Sequence, residues 1–494
     1  MKILFIQPAA DFMIRGTTYP VCRSMMVTAS YFESLGNDVL VFDRCVDFRK
    51  PKKIIDSFSP ELAMIYVPPT ASLGDAIELS AYLKKKGAVV VWGEVVASAL
   101  AEQSTGTGNA DFVITGETEM KLKMLIEELH GDKNYENIPG LTYKKDNKVF
   151  TTPNDNMPNL DILPPINWDL IDVKKCFRRF HNCKRMLYMY TSRGCPFKCG
   201  FCYNTMFYNS EHRKRSISHV LSEIKYLEEK YKLDGVNFSD EMLWLTEEEI
   251  EQISKFRKEN NLHFHWGGEV RADTYRDTDI LNKMYQAGCR WLLIGIETGS
   301  ETTRKQINKP MNQEMIRDFV NKCTDAGIST LGSFIIGFPD ETPEQAKETA
   351  IYAKSLNLSV VLFDYYIAIP RTPLGDKLIA EGKLNINMLF SNMADSSSAA
   401  QQIQSLTKNH SEIPDKDLKV IKSYFDWQSF TNKQKGPTQN NFILAKALDT
   451  LIHFAEGNAK DAIMNVFHAG KTFLSVLFYS HAYPKIKKKY DLDK

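Results

Sequence analysis

Residues 191–204 read TSRGCPFKCGFCYN and hold Cys195, Cys199 and Cys202, three of the nine cysteines in the chain, within eight residues. Soft thiolates select zinc, copper(I) or iron–sulfur clusters. A structural zinc site takes a fourth ligand, usually from a second Cys or His pair, and no such pair accompanies these three. Three thiolates on one short loop can instead grip three irons of a cubane cluster and leave the fourth iron open. Gly194 and Gly200 are read as the positions where the backbone curls around it without Cβ clashes.

The loop also fixes how its surroundings are read. From 185 onward, strands expected at 185–192, 234–240, 263–270, 290–297, 329–338 and 359–369 alternate with helices at 217–232, 246–260, 277–287, 312–326 and 342–355. Six strands with five helices between them make a partial parallel (β/α)6 barrel. The cysteines follow its first strand, at the carboxyl end where barrel sites lie. Ahead of it, residues 1–131 alternate short Val- and Ile-rich runs with helical patterns. That is a doubly wound (Rossmann-like) α/β sheet, which binds ligands at the carboxyl ends of its strands. The loops concerned are 7–20, 43–50, 67–73, 93–98 and 116–119, and no GxGxxG follows the first strand, which disfavours a dinucleotide.

Residues 132–184 form a linker. A Lys-Asp-Asn-Lys turn at 145–148 predicts a hairpin, then Pro153, Pro158, Pro164 and Pro165 break any helix. Leu160, Ile162, Leu163, Ile166 and Trp168 give this connector apolar anchors. The barrel is assigned to 185–385 and a helical region to 386–494, after a polar loop at Asp395–Ser398. Its stretch AGKTFLSVLFYSHAYPKIKKKY (469–490) reads as a packed helix with a solvated Lys run. A membrane-surface helix is the alternative.

The chain has 494 residues and a net charge of +1, so no overall field draws nucleic acid or an anionic membrane. MKILFIQP is too short for a signal peptide, and no stretch approaches the ~20 apolar residues of a membrane span. An odd cysteine count with one cluster reads as cytosolic thiols plus one metal site, so a cytoplasmic location is expected.

The spacing Cys-x3-Cys-x2-Cys, with Phe201 as the aromatic before the last cysteine, resembles the signature of the radical S-adenosylmethionine (SAM) family. The resemblance implies a [4Fe–4S] cluster on Cys195, Cys199 and Cys202, whose open iron chelates SAM. In that family one electron from the cluster cleaves SAM to methionine and a 5′-deoxyadenosyl radical. Further stretches resemble the barrel strands of the cobalamin-type group in order. VNFSDEMLWLT (236–246) would bring Asp240 and Glu241 near the methionine amino group, or simply signal the next helix. HWGGEVRAD (265–273) offers Arg271 to the SAM carboxylate or to a neighbouring acid. LLIGIETGSE (292–301) sets Glu297 and Ser300 at a strand mouth, and FIIGFPDETPEQ (334–345) sets Gly337 and Pro339 on the adenine side. There Glu341 is read as favouring the next helix, with Thr342 as its cap. In AIPRTPLGDKL (368–378) the family pattern usually has Gly where Arg371 stands, and this Arg is read as a surface residue or a cation near substrate.

The same resemblance extends to the first domain. DFVITGETE (111–119) is similar to the Gly-Glu turn that closes the cobalamin-binding domain, through Gly116 and Glu117. The plain alternative is a strand-to-helix turn with Glu117 and Glu119 at a helix N-terminus. DFMIRG (11–16) has the spacing of a cobalt-ligating loop, Asp-x-His-x-x-Gly, with Met13 at the His position. The resemblance therefore implies cobalamin with no histidine beneath the cobalt, its lower face open or touching a residue such as Met13. The function it implies is a cobalamin-dependent radical SAM methyltransferase acting on an unactivated carbon. A radical cyclase of the anaerobic tetrapyrrole type is the second reading, and a non-catalytic cluster or cobalamin sensor the third. Expected partners are a small-molecule or lipid-like substrate and an electron donor such as flavodoxin or ferredoxin, with no nucleic acid.

Overall fold

Apolar runs of five or six residues, rich in Val and Ile, favour buried strands, and the computed structural model places them so. It describes residues 1–9, 23–47, 49–69, 73–155, 159–389, 406 and 408–422. Met13 and most of the expected helical region at 386–494 lie outside them. Strands β1 (Lys2–Gln7), β2 (Asp38–Asp43), β3 (Leu62–Tyr66), β4 (Val89–Gly93) and β5 (Phe112–Ile114) pair in parallel in the order β2-β1-β3-β4-β5. Helices α1 (Arg23–Ser34), α2 (Pro51–Phe58), α3 (Leu73–Lys85), α4 (Glu94–Ala99), α5 (Ala101–Gly106) and α6 (Glu119–His130) provide the crossovers that parallel pairing requires. The linker hairpin forms as β6 (Leu141–Lys145) and β7 (Lys148–Thr151), and β6 joins the sheet antiparallel to β5. Its turn residues Asp146 and Asn147 take φ of 49° and 61°, the left-handed pair that a two-residue hairpin demands and that Asp and Asn tolerate.

The second sheet follows in chain order. After α7 (Val173–Cys176) come β8 (Arg178–Phe180), β9 (Cys183–Met189), β10 (Ser192–Arg193), α8 (Asn204–Tyr208), β11 (Arg213–Lys214), α9 (Ile217–Tyr231), β12 (Gly235–Phe238) and α10 (Glu247–Glu259). Then follow β13 (His265–Val270), α11 (Thr278–Gln286), β14 (Cys289–Glu297), α12 (Glu301–Gln306), α13 (Gln313–Asp325), β15 (Ser329–Ile336), α14 (Pro343–Ser355), β16 (Val360–Tyr365) and α15 (Pro373–Ala380). Six parallel strands pair in sequence order, β9-β12-β13-β14-β15-β16, with β8 antiparallel on β9. Sequential winding with β8 and β16 left as edges is a partial barrel rather than a closed one. On one face Met186, Trp291, Leu331 and Val360 form a buried cluster, flanked by half-buried Tyr188, Leu293 and Leu362. Trp291 lies over Gly267, where a Cβ would come within 2.2 Å of its indole nitrogen. Burying each such large side chain contributes roughly 1.5–3 kcal/mol.

Compactness divides the chain into two units that do not follow sequence order. One comprises Met1–Cys176, Gly194–Arg215 and Ala368–Lys408; the other comprises Phe177–Arg193, Ser216–Ile367 and Asn409–Lys494. The cysteine loop thus belongs to the same unit as the doubly wound sheet.

Candidate functional site

The loop carrying Cys195, Cys199 and Cys202 is built by its neighbours in sequence. Cys199 is buried, Cys195 and Cys202 are half-buried, and the eight described cysteines carry no disulfide. Gly194 has φ +78°, and a Cβ there would lie 2.0 Å from the Glu211 carbonyl oxygen, so no other residue fits. Asn204, the first residue of α8, staples the loop with its buried amide. The Cys195 N–H donates to Asn204 Oδ1 at 2.8 Å, and Asn204 Nδ2 donates to the carbonyls of Cys195 (2.6 Å) and Phe197 (3.2 Å). The Cys202 N–H donates to the Cys199 carbonyl at 3.1 Å, closing the turn that holds half-buried Phe201. Sequence reasoning passed over Asn204. Its signal was an amide side chain two residues beyond the last cysteine, at a helix start. Three thiols on one pinned loop have the donor chemistry of a cubane cluster; among the described residues no group of three or more His, Cys, Asp or Glu side chains is arranged to hold a metal ion.

Within the same unit, the segment after the cysteines packs on the carboxyl-end loops of the doubly wound sheet. Val95 of α4 clusters with Phe207 and Tyr208, against half-buried Tyr203 and Ile369. Gly116, at φ +80°, faces the Phe207 carbonyl oxygen, which a Cβ would approach to 2.8 Å. Glu117 Oε2 accepts from Arg213 Nη1 at 2.8 Å, with side chains only 3% and 12% exposed. Gly116 and Glu117 therefore brace residues 204–213. Lys121 lies beneath them, donating to the Thr115 carbonyl (2.7 Å) and Asn154 Oδ1 (2.5 Å). Burial pushes its ammonium pKa down to about 8. Two buried polar atoms near this edge, Gln7 Oε1 at the end of β1 and Thr115 Oγ1 after β5, have no partner among the described residues. Such orphans suit a polar ligand lying along the carboxyl ends of the strands, and a cobalamin fits that requirement.

In the other unit each candidate is held locally. Asp240 is 1% exposed; its carboxylate accepts from the N–H groups of Thr191 (2.8 Å) and Ser192 (3.1 Å) and from Thr191 Oγ1 (2.5 Å). Glu241 beside it is half-buried. Thr246, with Glu249, forms the capping box that starts α10. Arg271 forks onto Asp273 through Nε (2.9 Å) and Nη2 (2.8 Å), the neighbouring-acid alternative. Glu297, at φ +66°, pairs with Lys309 Nζ at 2.5 Å, both nearly fully buried. Lys309 was not foreseen, since twelve residues and a helix separate it from its partner. Ser300 is 1% exposed, and its hydroxyl has no partner among the described residues; nor does Nη1 of Arg304, one turn on. A carboxylate or ribose hydroxyl of SAM could satisfy both. Gly337 (φ +83°) and buried Pro339 form the turn after β15. Glu341 departs from its expected role. Thr342 caps α14 as expected, but Glu341 turns inward, and its Oε2 accepts from the Gly337 (2.7 Å) and Phe338 (3.2 Å) N–H groups. Among the described residues no helix is long and apolar enough to cross a membrane.

Comparison with known proteins fits this geometry. Residues 189–353 match the model of the Radical SAM superfamily. An uncharacterized methyltransferase of Pyrococcus horikoshii is 28% identical over 396 residues, covering 78% of this chain and 84% of that protein. The anaerobic magnesium-protoporphyrin IX monomethyl ester cyclase of Synechocystis is 24% identical over 62% of each chain. Among solved structures, the radical S-adenosylmethionine methyltransferase TsrM of Kitasatospora setae, with cobalamin and a [4Fe–4S] cluster bound, shares the fold. Its TM-score is 0.62 at 17% identity, covering 77% of this chain and 75% of that one.

Proposed function

We propose that the chain is a radical SAM enzyme with a cobalamin-binding domain and that it methylates an unactivated carbon of a small molecule. The observation that carries the reading is the docking of residues 203–213, the segment directly after the cysteines, on the carboxyl-end loops of the doubly wound sheet, through Val95, Gly116 and Glu117. One body then serves both cofactors. The methyltransferase in Pyrococcus, matched over most of both chains, favours methyl transfer over cyclisation.

Cys195, Cys199 and Cys202 would hold a [4Fe–4S] cluster, with Phe201 covering its flank. Glu241, Ser300, Gly337 and Pro339 would contact SAM. Asp240, Arg271 and Glu297, each tied to a local partner, would keep the loops around it in shape. Gly116 and Glu117 would form the edge against cobalamin. When bound, these groups supply radical generation and a transferable methyl. The protein's part is to orient them, and the packing of Val95, Phe207, Tyr208 and Ile369 excludes water beside the cluster loop. A flavodoxin- or ferredoxin-type donor would deliver the electron.

Anaerobic reconstitution tests the reading. The protein should turn brown, and with reductant and SAM it should release 5′-deoxyadenosine. With cobalamin present, S-adenosylhomocysteine should accumulate as well; its absence would favour the cyclase. Replacing the three cysteines by Ala should abolish the colour and all SAM cleavage, and cleavage surviving in that variant would refute the site.

A further inference from the structure

We propose that Arg371 is a positioning residue that locks the cysteine loop to the doubly wound sheet. Its backbone sits at φ +64°, the left-handed region that favours glycine. Other non-glycine residues share this conformation, Lys133 and Lys232 among them; what sets Arg371 apart is where its side chain goes. Its Nη1 donates to the Ser98 carbonyl at 2.8 Å, in the last turn of α4, where helix carbonyls lack intrahelical partners and the dipole favours a cation.

The turn that presents Arg371 is rigid. Its N–H donates to Asp376 Oδ1 at 2.8 Å. Thr372 Oγ1 donates to the Ile369 carbonyl at 2.7 Å and accepts from the Gly375 N–H at 3.2 Å. Gly375 packs so tightly that a Cβ would fall 1.9 Å from the Ile369 oxygen. From this turn the Leu374 N–H donates to the Gly200 carbonyl at 2.9 Å. Gly200 stands between Cys199 and Cys202.

Three segments of one unit thus close a triangle. Residues 94–99 meet residues 203–208 through Val95, residues 369–376 meet residues 94–99 through Arg371, and residues 369–376 meet the cysteine loop through Leu374. At this corner Arg371 adds the polar tie to the apolar packing of Ile369 on the Val95 cluster. Removing it leaves the turn and the Ile369 contact in place but loosens the corner, and Gly200 with it.

Hydrogen–deuterium exchange on the full chain without cofactors is the test, comparing the parent with Arg371→Gly, which suits the backbone, and with Arg371→Lys. In Arg371→Gly, peptides covering 194–208 should exchange several-fold faster while those covering β12–β16 stay unchanged; Arg371→Lys should fall between. Peptides 194–208 exchanging at the parent rate would overturn the proposal, as would an equal rise across the whole chain. Where Arg371→Gly does not fold, Arg371→Lys gives the same comparison. In reconstituted protein, a chelator should strip iron several-fold faster from Arg371→Gly at unchanged cobalamin uptake, and equal rates would count against the lock. This second readout rests on the cluster assignment. A parent that takes up no cluster would sink the functional reading, while the exchange result would still decide the role of Arg371.

Discussion

Glu341 shows what a single buried group can do here. It is fully buried, two backbone N–H groups hold one oxygen, and the other has no partner among the described residues. Burial pushes its carboxyl pKa up to about 7, against the pull of those two donors. A raised carboxyl pKa means that the fold prefers the protonated form. Its contribution to stability is whole below the usual carboxylate range and is lost as pH rises toward and past 7. Glu341→Gln keeps the neutral acceptor and removes the titration. Raising the pH from 4 to 8 should therefore favour the Gln variant over the parent by roughly 3 kcal/mol at most. Denaturant unfolding at the two pH values measures this, and a constant difference would contradict it. The site was legible at this scale only where chemistry is contiguous. Cys195, Cys199 and Cys202 declare themselves by spacing. Glu341, Lys309 and Asn204 do not, because their partners are fixed by the turn or fold around them. Arg371 stood out only as a departure from pattern, and its bond to Ser98 spans 273 residues.

At the scale of elements, periodicity served well. The barrel helices fall within a residue or so of their expected bounds, as at α13 (Gln313–Asp325) and α14 (Pro343–Ser355), because caps such as Asn312 and Thr342 mark them locally. The hairpin was also visible, since Asp146 and Asn147 encode their own turn. Its place as a sixth and seventh strand beside β5 was not, because edge pairing depends on residues far apart in sequence. Glycines inside strands carry another nonlocal message. Gly267 on β13 reads as a weak strand residue, yet it makes room for Trp291 on β14. Gly267→Ala should force that indole aside and destabilise the protein by about 1–3 kcal/mol. Thermal unfolding and Trp fluorescence would report it, with an emission shift as Trp291 leaves its cluster.

At the scale of the whole molecule, the fold class was readable but the chain's path was not. A border at 184/185 follows from the change in pattern, whereas the cysteine loop and the 368–408 segment join the unit of the first sheet. A fragment of residues 185–494 lacks Val95, Ser98 and Glu117, the groups on which its cysteine loop is braced. It should retain far less iron after reconstitution than the full chain, besides taking up no cobalamin; iron retention equal to the full chain would refute that dependence. The interleaved path also sets an order of events during synthesis. The first 176 residues leave the ribosome well before Ala368–Lys408, the last piece of their own unit. At ~5–20 residues per second that lag is roughly 10–40 seconds. Until then the Arg371 bond to Ser98 and the Leu374 bond to Gly200 cannot form, so the cysteine loop gains its last brace only late in synthesis, long after Phe207 and Tyr208 have emerged to cover Val95.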